Sequence, residues 1–212
     1  MRFLALVAVL ALAGTVAAAT QKDPRQAITP AAQARAKRIG IHLADLPGLG
    51  WRSRPAQSDR SNARCGYYNP DQSRLTENGR YTSPDFTRAD GLYVSSTVGI
   101  FASAAQAKTS YTLVVRPALA RCLGESVVAS GVKNHISLES VGPLPFPGRG
   151  NRSAAYRIVF HVVNGGQRVP ATIDLVAINK GAVNVALFFS SAGQSPPAGM
   201  EKAVSAAVAG RI

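Results

Sequence analysis

Apolar residues occupy every second position in one stretch near the middle of the chain. Leu92, Val94, Val98 and Ile100 alternate with more polar neighbours, and Ser96 fills the remaining place in the series. Successive side chains of a β-strand point to opposite faces, so a period of two is typical of a strand. The pattern predicts a strand over residues 92–101.

The last third of the chain repeats this pattern three times. Apolar-rich segments cover residues 155–163, 168–178 and 182–189, and a turn sequence rich in glycine separates the first two. Glycine accepts the backbone conformations that a tight hairpin turn requires. These segments predict an antiparallel meander, and residues 133–141 predict a further strand before it.

Between these strands, the apolar positions change to a helical spacing. Tyr111, Val115, Ala118 and Cys122 recur at intervals of four, three and four residues. Residues at these intervals share one face of a helix, so Cys122 is expected to face a sheet on which the helix packs. Pro117 lacks a backbone donor and is expected to kink this helix or split it in two.

Signals for helix starts occur at three places in the chain. Ser103 is a typical N-cap for the helix predicted over residues 103–122. Thr29 followed by Pro30 fits an N-cap and a first helical position, and it predicts a short basic helix. Prolines also precede a closing helix, which is predicted over residues 197–210.

Residues 52–90 have a different composition from the rest of the chain. They are polar and contain Asn-Pro, Asn-Gly and Ser-Pro pairs, which predict loops around short extended pieces. A strand, a helix, an antiparallel meander and a closing helix follow them. This order favours an α+β fold, with an antiparallel sheet of four or more strands and helices packed on it.

The first nineteen residues have the features of a secretory signal peptide. A positive start at Arg2 precedes an apolar run, and three alanines at 17–19 supply the small residues of a cleavage site. Retention of this segment as a membrane anchor is the alternative, because the run lies near the minimum length that spans a bilayer. We expect residues 20–212 to form one α+β domain, located outside the cytoplasm, with no further membrane span.

The two cysteines, Cys65 and Cys122, are expected to form one disulfide, because an exported chain meets oxidising conditions. A catalytic thiol and a metal site are the alternatives. The sequence places no activating base beside either cysteine, and the Cys-x-x-Cys spacing of metal sites is absent. The disulfide is therefore the preferred interpretation.

A large positive charge points to anionic partners. The chain has a formal net charge of +13, and a charge of this size concerns solubility and partners more than fold. Outside a cell, the counter-charges are envelope polymers, phospholipid headgroups and acidic proteins. The sequence argues against nucleic acid, because no helix has basic residues along one face and no aromatic-basic motif is present.

The search for catalytic motifs gives little. The sequence lacks the serine-hydrolase elbow, the zinc-protease motif and the phosphate-binding loop. His135, Glu139, His161 and Asp174 are predicted on the polar sides of their strands, where they could meet as a metal or acid–base site. A solvated sheet face is the preferred alternative. We therefore expect a protein that is not an enzyme and has no cofactor or metal.

The loop over residues 143–152 is the preferred binding candidate. Three prolines stiffen it, and its Arg149 and Arg152 offer donors to an anion while Phe146 offers an apolar contact. The nearby Arg157 and Arg168 belong to the same predicted site, because this part of the chain contains no acid between Glu139 and Asp174. The alternative is an ordinary surface connection whose Phe146 folds back into the core.

A short motif in the middle of the chain resembles a known family. The match consists of a strand that runs into a helix start, followed by a cysteine near the helix end: Phe101, Ser103, Ala104, Ala107 and Cys122. This resembles the extracellular sensor domains of PknH-type actinobacterial serine/threonine kinases and related stand-alone secreted proteins. The early tryptophan, Cys65 and the segment over 82–86 match more loosely, and folds of the PsbP type fit as well.

The resemblance implies a non-catalytic, disulfide-stapled domain with a cleft that senses or binds an envelope component. Such sensor domains usually carry two disulfides, whereas this chain has cysteines for one. Our leading hypothesis is a secreted binding domain for an anionic or amphipathic ligand. The alternatives are a partner-binding or inhibitory protein that uses its basic surface, and a small hydrolase with an unrecognised site. A pocket with apolar walls and arginine at its mouth would favour the first.

Overall fold

A computed structural model describes residues 22–56, 63–131 and 135–212 of the chain. The predicted signal peptide over residues 1–19 lies outside the described residues. The strands are β1 (Arg25–Gln26), β2 (Arg52–Arg54), β3 (Thr76–Thr82), β4 (Asp85–Thr87), β5 (Tyr93–Phe101), β6 (Ile136–Pro143), β7 (Arg152–Asn164), β8 (Gln167–Lys180) and β9 (Val183–Ala192). The helices are α1 (Pro30–Ile39), α2 (Ala104–Val114), α3 (Pro117–Ser130) and α4 (Ala198–Gly210).

These strands form a single sheet in the order β1-β3-β5-β9-β8-β7-β6. The short strand β4 also pairs with β5, and β2 pairs with β4. All neighbours are antiparallel except β1 and β3. The predicted α+β class, with a mostly antiparallel sheet and helices packed on it, is confirmed. The predicted meander corresponds to β7, β8 and β9.

The helix predicted over 103–122 is divided into α2 and α3, as its proline suggested. Pro117 is the first residue of α3, where its missing backbone donor costs nothing. The Ser103 side chain accepts a hydrogen bond from the backbone N–H of Gln106 and so caps α2. Thr29 caps α1 in the same way, with Ala32 as the donor.

Helices cover both faces of the sheet, and each face has its own apolar core. On one face, α1 and α4 pack over residues such as Val98, Val185 and Leu187. On the other face, α2 and α3 pack over residues such as Ile158 and Leu175. We call these the α1/α4 face and the α2/α3 face.

The predicted disulfide ties a loop to the α2/α3 face. Cys65 and Cys122 are bonded, and their Cα atoms are 5.8 Å apart. Cys122 lies on the buried side of α3, as its helical spacing predicted. Among the residues that the structure describes, none of the helices has both the length and the apolar content needed to cross a bilayer.

The Asn-Gly pair in the polar region, which we interpreted as loop punctuation, lies inside a strand. Asn78 and Gly79 belong to β3, where the pairing with β5 shifts between Glu77 and Gly79. A Cβ atom at Gly79 would lie 2.6 Å from the backbone of Ala32 in α1. Glycine is therefore required here because α1 packs directly on the strand, a contact that local sequence does not reveal.

Candidate functional site

A half-open groove of about 560 Å³ lies on the α2/α3 face. Its walls come from the loop after Cys65, the start of α3, the end of β6 and the middle of β7. The lining residues are mainly apolar or aromatic: Tyr67, Pro117, Ala118, Arg121, Val141, Gly142, Pro143 and Tyr156. A concave site with apolar walls and few polar groups is the usual form of a small-molecule site.

The disulfide and the register of β6 hold the walls of this groove in place. Cys65 pairs with Tyr68 in an isolated bridge, so the turn that carries Tyr67 is fixed to α3 through Cys122. On the opposite wall, Pro143 is the register partner of Tyr156. The groove therefore lies between rigid elements and is available without a large rearrangement.

Three charged or polar side chains meet at the rim of the groove. The Tyr67 hydroxyl donates a 2.8 Å hydrogen bond to Glu125, and Nε of Arg121 donates a 3.0 Å hydrogen bond to the same carboxylate. The bonds from Tyr67 and Arg121 lower the pKa of Glu125. Arg121 keeps 69% of its side chain exposed. Within the described part of the chain, its two Nη groups have no hydrogen-bond partner, so they can bind an anion.

Buried tyrosines lie behind the groove. The Tyr68 hydroxyl donates a 2.7 Å hydrogen bond to the carbonyl of Val114, and burial raises the pKa of Tyr68 to about 12. Burial also raises the pKa of Tyr111 to about 12, and its hydroxyl is buried without a partner among the described residues. These phenols stay neutral at physiological pH, so they add no negative charge near the groove.

Two residues of the predicted binding loop are held by the protein itself. Phe146 is half-buried and packs against the core of the α1/α4 face, which is the alternative that the sequence left open. Arg149 is also half-buried. Its backbone N–H donates to Ser153, and its Nη1 donates to the carbonyl of Gly148.

The other predicted arginines are distributed along the β7–β8 hairpin. Arg152 is exposed at the start of β7 and donates a 3.3 Å hydrogen bond to Thr112 of α2. It lies on the same face of β7 as Tyr156, four residues along the strand. Arg168 is exposed at the opposite end of the hairpin, where it pairs in register with Val163. The structure therefore does not bring the five predicted residues together.

Arg157 belongs to a buried charged cluster beneath α4. Its Nε and Nη2 donate hydrogen bonds of 2.8 and 2.6 Å to the two carboxylate oxygens of Asp174. Asp174 is completely buried and Glu201 of α4 is 2% exposed. The prediction that Asp174 points to the polar side of its strand is therefore wrong, because α4 covers that face.

Glu201 is neutral in this cluster. Burial raises the pKa of Glu201 to about 9, and its hydrogen bond to Asp174 together with the charge of that carboxylate adds to the effect. The protonated Glu201 donates this bond, and Arg157 pairs with the Asp174 carboxylate. The cluster combines one cation, one anion and one neutral acid. Of its buried polar side-chain atoms, Oε1 of Glu201 has no hydrogen-bond partner among the described residues.

The four candidate acid–base residues do not converge. Nδ1 of His161 lies 3.2 Å from Oε2 of Glu139, without the alignment of a hydrogen bond. His135 lies in the turn before β6, and Asp174 is engaged with Arg157. Over residues 22–56, 63–131 and 135–212, no group of three or more His, Cys, Asp or Glu side chains has a geometry that could hold a metal ion.

The groove was missed from the sequence because its residues are scattered over four elements. Only the Pro143 end of the predicted loop reaches it. The one available signal was Cys65, since a disulfide partner places the residues that follow it beside α3. The chain matches no protein-family model, and no curated protein matches it significantly, so its own geometry carries the functional argument.

Proposed function

We propose that this protein is a non-catalytic binding domain of the extracellular or cell-envelope space, which recognises an amphipathic anion in the groove of the α2/α3 face. The apolar part of the ligand lies against Tyr156, Pro117 and Ala118. Its anionic group pairs with the free Nη groups of Arg121. The observation that carries the proposal is the combination of aromatic and apolar walls with an exposed, partly unpaired arginine at the rim.

Three further features support this function. A disulfide between Cys65 and Cys122 is typical of proteins that work in an oxidising compartment, which agrees with the signal-like first residues. The net charge of +13 raises the local concentration of anions near the surface. The resemblance to sensor domains of actinobacterial kinases points to the same type of role.

Binding of dodecyl phosphate and of zwitterionic dodecylphosphocholine, each as a monomer, tests the proposal by isothermal titration calorimetry. The two ligands share a dodecyl chain and differ in net charge. We expect tighter binding of dodecyl phosphate, with an affinity that falls as salt is added because the exposed Arg121 is screened. Similar binding of both ligands at every salt concentration would contradict the role of Arg121.

Substitutions at the groove locate the site. Ala118→Phe places a larger side chain in the groove and is expected to abolish binding, whereas Arg121→Gln should remove the preference for phosphate and leave weak binding of both ligands. Ala105→Phe is the matched control, because Ala105 is an exposed alanine of α2 that does not line the groove. Unchanged binding in a folded Ala118→Phe variant would overturn the assignment.

A further inference from the structure

The loop between α1 and β2 exposes two leucines. Leu49 is 94% exposed and Leu43 is 51% exposed. Single exposed apolar residues are common on protein surfaces, but here two lie in one loop, and Trp51 beside them is only half-buried. We call residues 43–51 the leucine loop.

The backbone of the leucine loop holds Leu49 outward. Leu46 is buried in the core of the α1/α4 face, and Trp51 packs against the same core. Trp51 also donates a 3.0 Å hydrogen bond to the carbonyl of Pro47, which closes the loop. Gly48 and Gly50 have φ values of 78° and 85°, which other residues rarely adopt. Leu49 therefore stands at the tip of a loop anchored on both sides.

The segment that contains this loop has an excess of positive charge. Residues 22–56 contain seven basic and two acidic side chains. Both acids are already paired with arginines from outside the segment, Asp23 with Arg64 and Asp45 with Arg211. The chain leaves the loop directly into β2, whose Arg52 and Arg54 are both exposed.

Arg52 and Arg54 lie on one face of β2, because they are two residues apart. The guanidinium of Arg88 lies 5.1 Å from the centre of the Trp51 ring and pairs with Asp90. Arg52 and Arg54 make no ion pair with another described residue, so their charge is available. An aliphatic tip, an adjacent tryptophan and flanking arginines are the combination that contacts a lipid interface.

We propose that the leucine loop inserts its tip into the headgroup region of an anionic phospholipid bilayer, with Arg52 and Arg54 on the lipid phosphates. This contact is separate from the groove, since the loop packs on the α1/α4 face and the groove lies on the other. It would keep the protein at a membrane surface while the groove remains open to a ligand. A bilayer accommodates both parts of the patch, because its acyl region takes up the aliphatic tip and its phosphates pair with the arginines.

Trp51 makes the test specific, because it is the only tryptophan of the chain. The full chain without its signal segment is titrated with vesicles of phosphatidylcholine alone and of phosphatidylcholine mixed with phosphatidylglycerol. Binding is followed by sedimentation. The position of Trp51 is followed by the quenching of its fluorescence by brominated acyl chains. We expect binding and quenching only with the anionic vesicles, and both should weaken as salt is added.

Three variants and a matched control sharpen the result. Leu49→Ser should weaken vesicle binding about tenfold and remove most of the quenching. Arg52→Ala and Arg54→Ala should each weaken binding about fivefold at low salt. Ile28→Ser is the matched control, because Ile28 is an exposed aliphatic residue at the other end of α1, and it should bind like the parent.

Each contrary outcome identifies another explanation. Binding to anionic vesicles without quenching of Trp51 would place the contact elsewhere and overturn the proposal. Equal binding of the Leu49→Ser and Ile28→Ser variants would do the same. Self-association that Leu49→Ser abolishes, without vesicle binding, would assign the loop to a second copy of the chain. Failure of dodecyl phosphate to bind in the groove leaves this test unaffected, because the vesicle result is read at Trp51.

Discussion

The two faces of the sheet each carry a charged cluster, and the clusters differ in how helices cover them. Beneath α4, Asp174 is completely buried and Glu201 is 2% exposed, whereas Arg157 keeps 31% of its side chain exposed. At the groove on the other face, Arg121 and Glu125 stand at an open rim. Both clusters contain an arginine–carboxylate pair, so the difference between them comes from their surroundings.

This difference separates a structural role from a binding role. A buried ion pair loses its hydration, so each partner depends on the other, and removing one is costly. An exposed pair keeps its water and contributes little to stability, but its unused donors remain accessible to a ligand. We therefore expect the α4 cluster to govern stability and its pH dependence, and the groove rim to govern binding.

Loss of Arg157 should produce the largest difference in stability between the two clusters. Arg157→Ala leaves the buried Asp174 carboxylate without its cation, and we expect the free energy of unfolding to fall by about 3–5 kcal/mol. Arg121→Ala should leave it unchanged within error, because that side chain is largely exposed. Urea unfolding followed by circular dichroism measures both.

A double substitution distinguishes the lost charge pair from lost packing. In Arg157→Met/Asp174→Asn, both charges are removed and the asparagine amide oxygen still accepts from Glu201, so stability should recover most of the loss seen in Arg157→Ala. Equal destabilisation by Arg157→Ala and Arg121→Ala would break the comparison. It would mean that burial does not distinguish the two clusters.

The disulfide tests whether the groove face depends on a covalent restraint. Cys65→Ser/Cys122→Ser removes a link between residues 57 positions apart, and we expect a loss of about 2–4 kcal/mol in the free energy of unfolding. The turn that carries Tyr67 would lose its attachment to α3, so dodecyl phosphate should also bind more weakly. Scanning calorimetry measures the stability of the variant, and titration calorimetry measures its affinity for dodecyl phosphate. Unchanged binding would show that the groove walls do not depend on the disulfide.

Glu201 gives the α4 cluster a pH dependence that the groove rim lacks. Unfolding restores Glu201 to its ordinary pKa, whereas the folded chain holds its proton until about pH 9. Between these two values unfolding releases a proton, so the contribution of Glu201 to stability is greatest at low pH and falls as pH rises. Glu201→Gln keeps the donor to Asp174 without this proton, and it should stabilise the protein by on the order of 2 kcal/mol near neutral pH.

The measurement is the difference in stability between Glu201→Gln and the parent over a pH series. The stability advantage of the variant should be small near pH 4 to 5 and should grow towards pH 9. Over this range only the parent releases a proton from residue 201 when it unfolds. A constant difference across the series would show that Glu201 is ionised in the folded chain. Glu125→Gln is the control. Because hydrogen bonds lower the pKa of Glu125, the stability of this variant relative to the parent should not rise towards pH 9.

The repetitive parts of the fold were predictable because they depend on local pattern. Alternating positions gave β5 and the meander, and Pro117 marked the division between α2 and α3. Asp174 was misassigned because alternation reports polarity, whereas burial depends on what packs above the strand. Its partners come from β7 through register and from α4, 27 residues further along the chain. No local signal connects them.

The candidate site was harder to predict for the same reason. Proline and arginine in residues 143–152 indicated a binding loop, but whether an arginine is free depends on its neighbours in space. Arg149 turned out to be half-buried and bonded within its own loop, whereas Arg121, which the sequence did not single out as a binding residue, stands at the groove rim. Tertiary contacts assign these roles, so a sequence pattern alone could not.

The smallest expected effect separates two exposed arginines of one hairpin. Arg152 lies on the α2/α3 face of β7, on the same side as the groove-lining Tyr156, whereas Arg168 lies at the far turn. At low salt, Arg152→Ala should weaken binding of dodecyl phosphate by about two- to fivefold, because it removes a nearby but screened positive charge. Arg168→Ala removes the same charge from a distant position and should leave the affinity unchanged. The two variants have the same net charge, so titration calorimetry shows how the position of the lost arginine affects the affinity. Equal losses would mean that overall charge, and not the groove face, attracts the ligand.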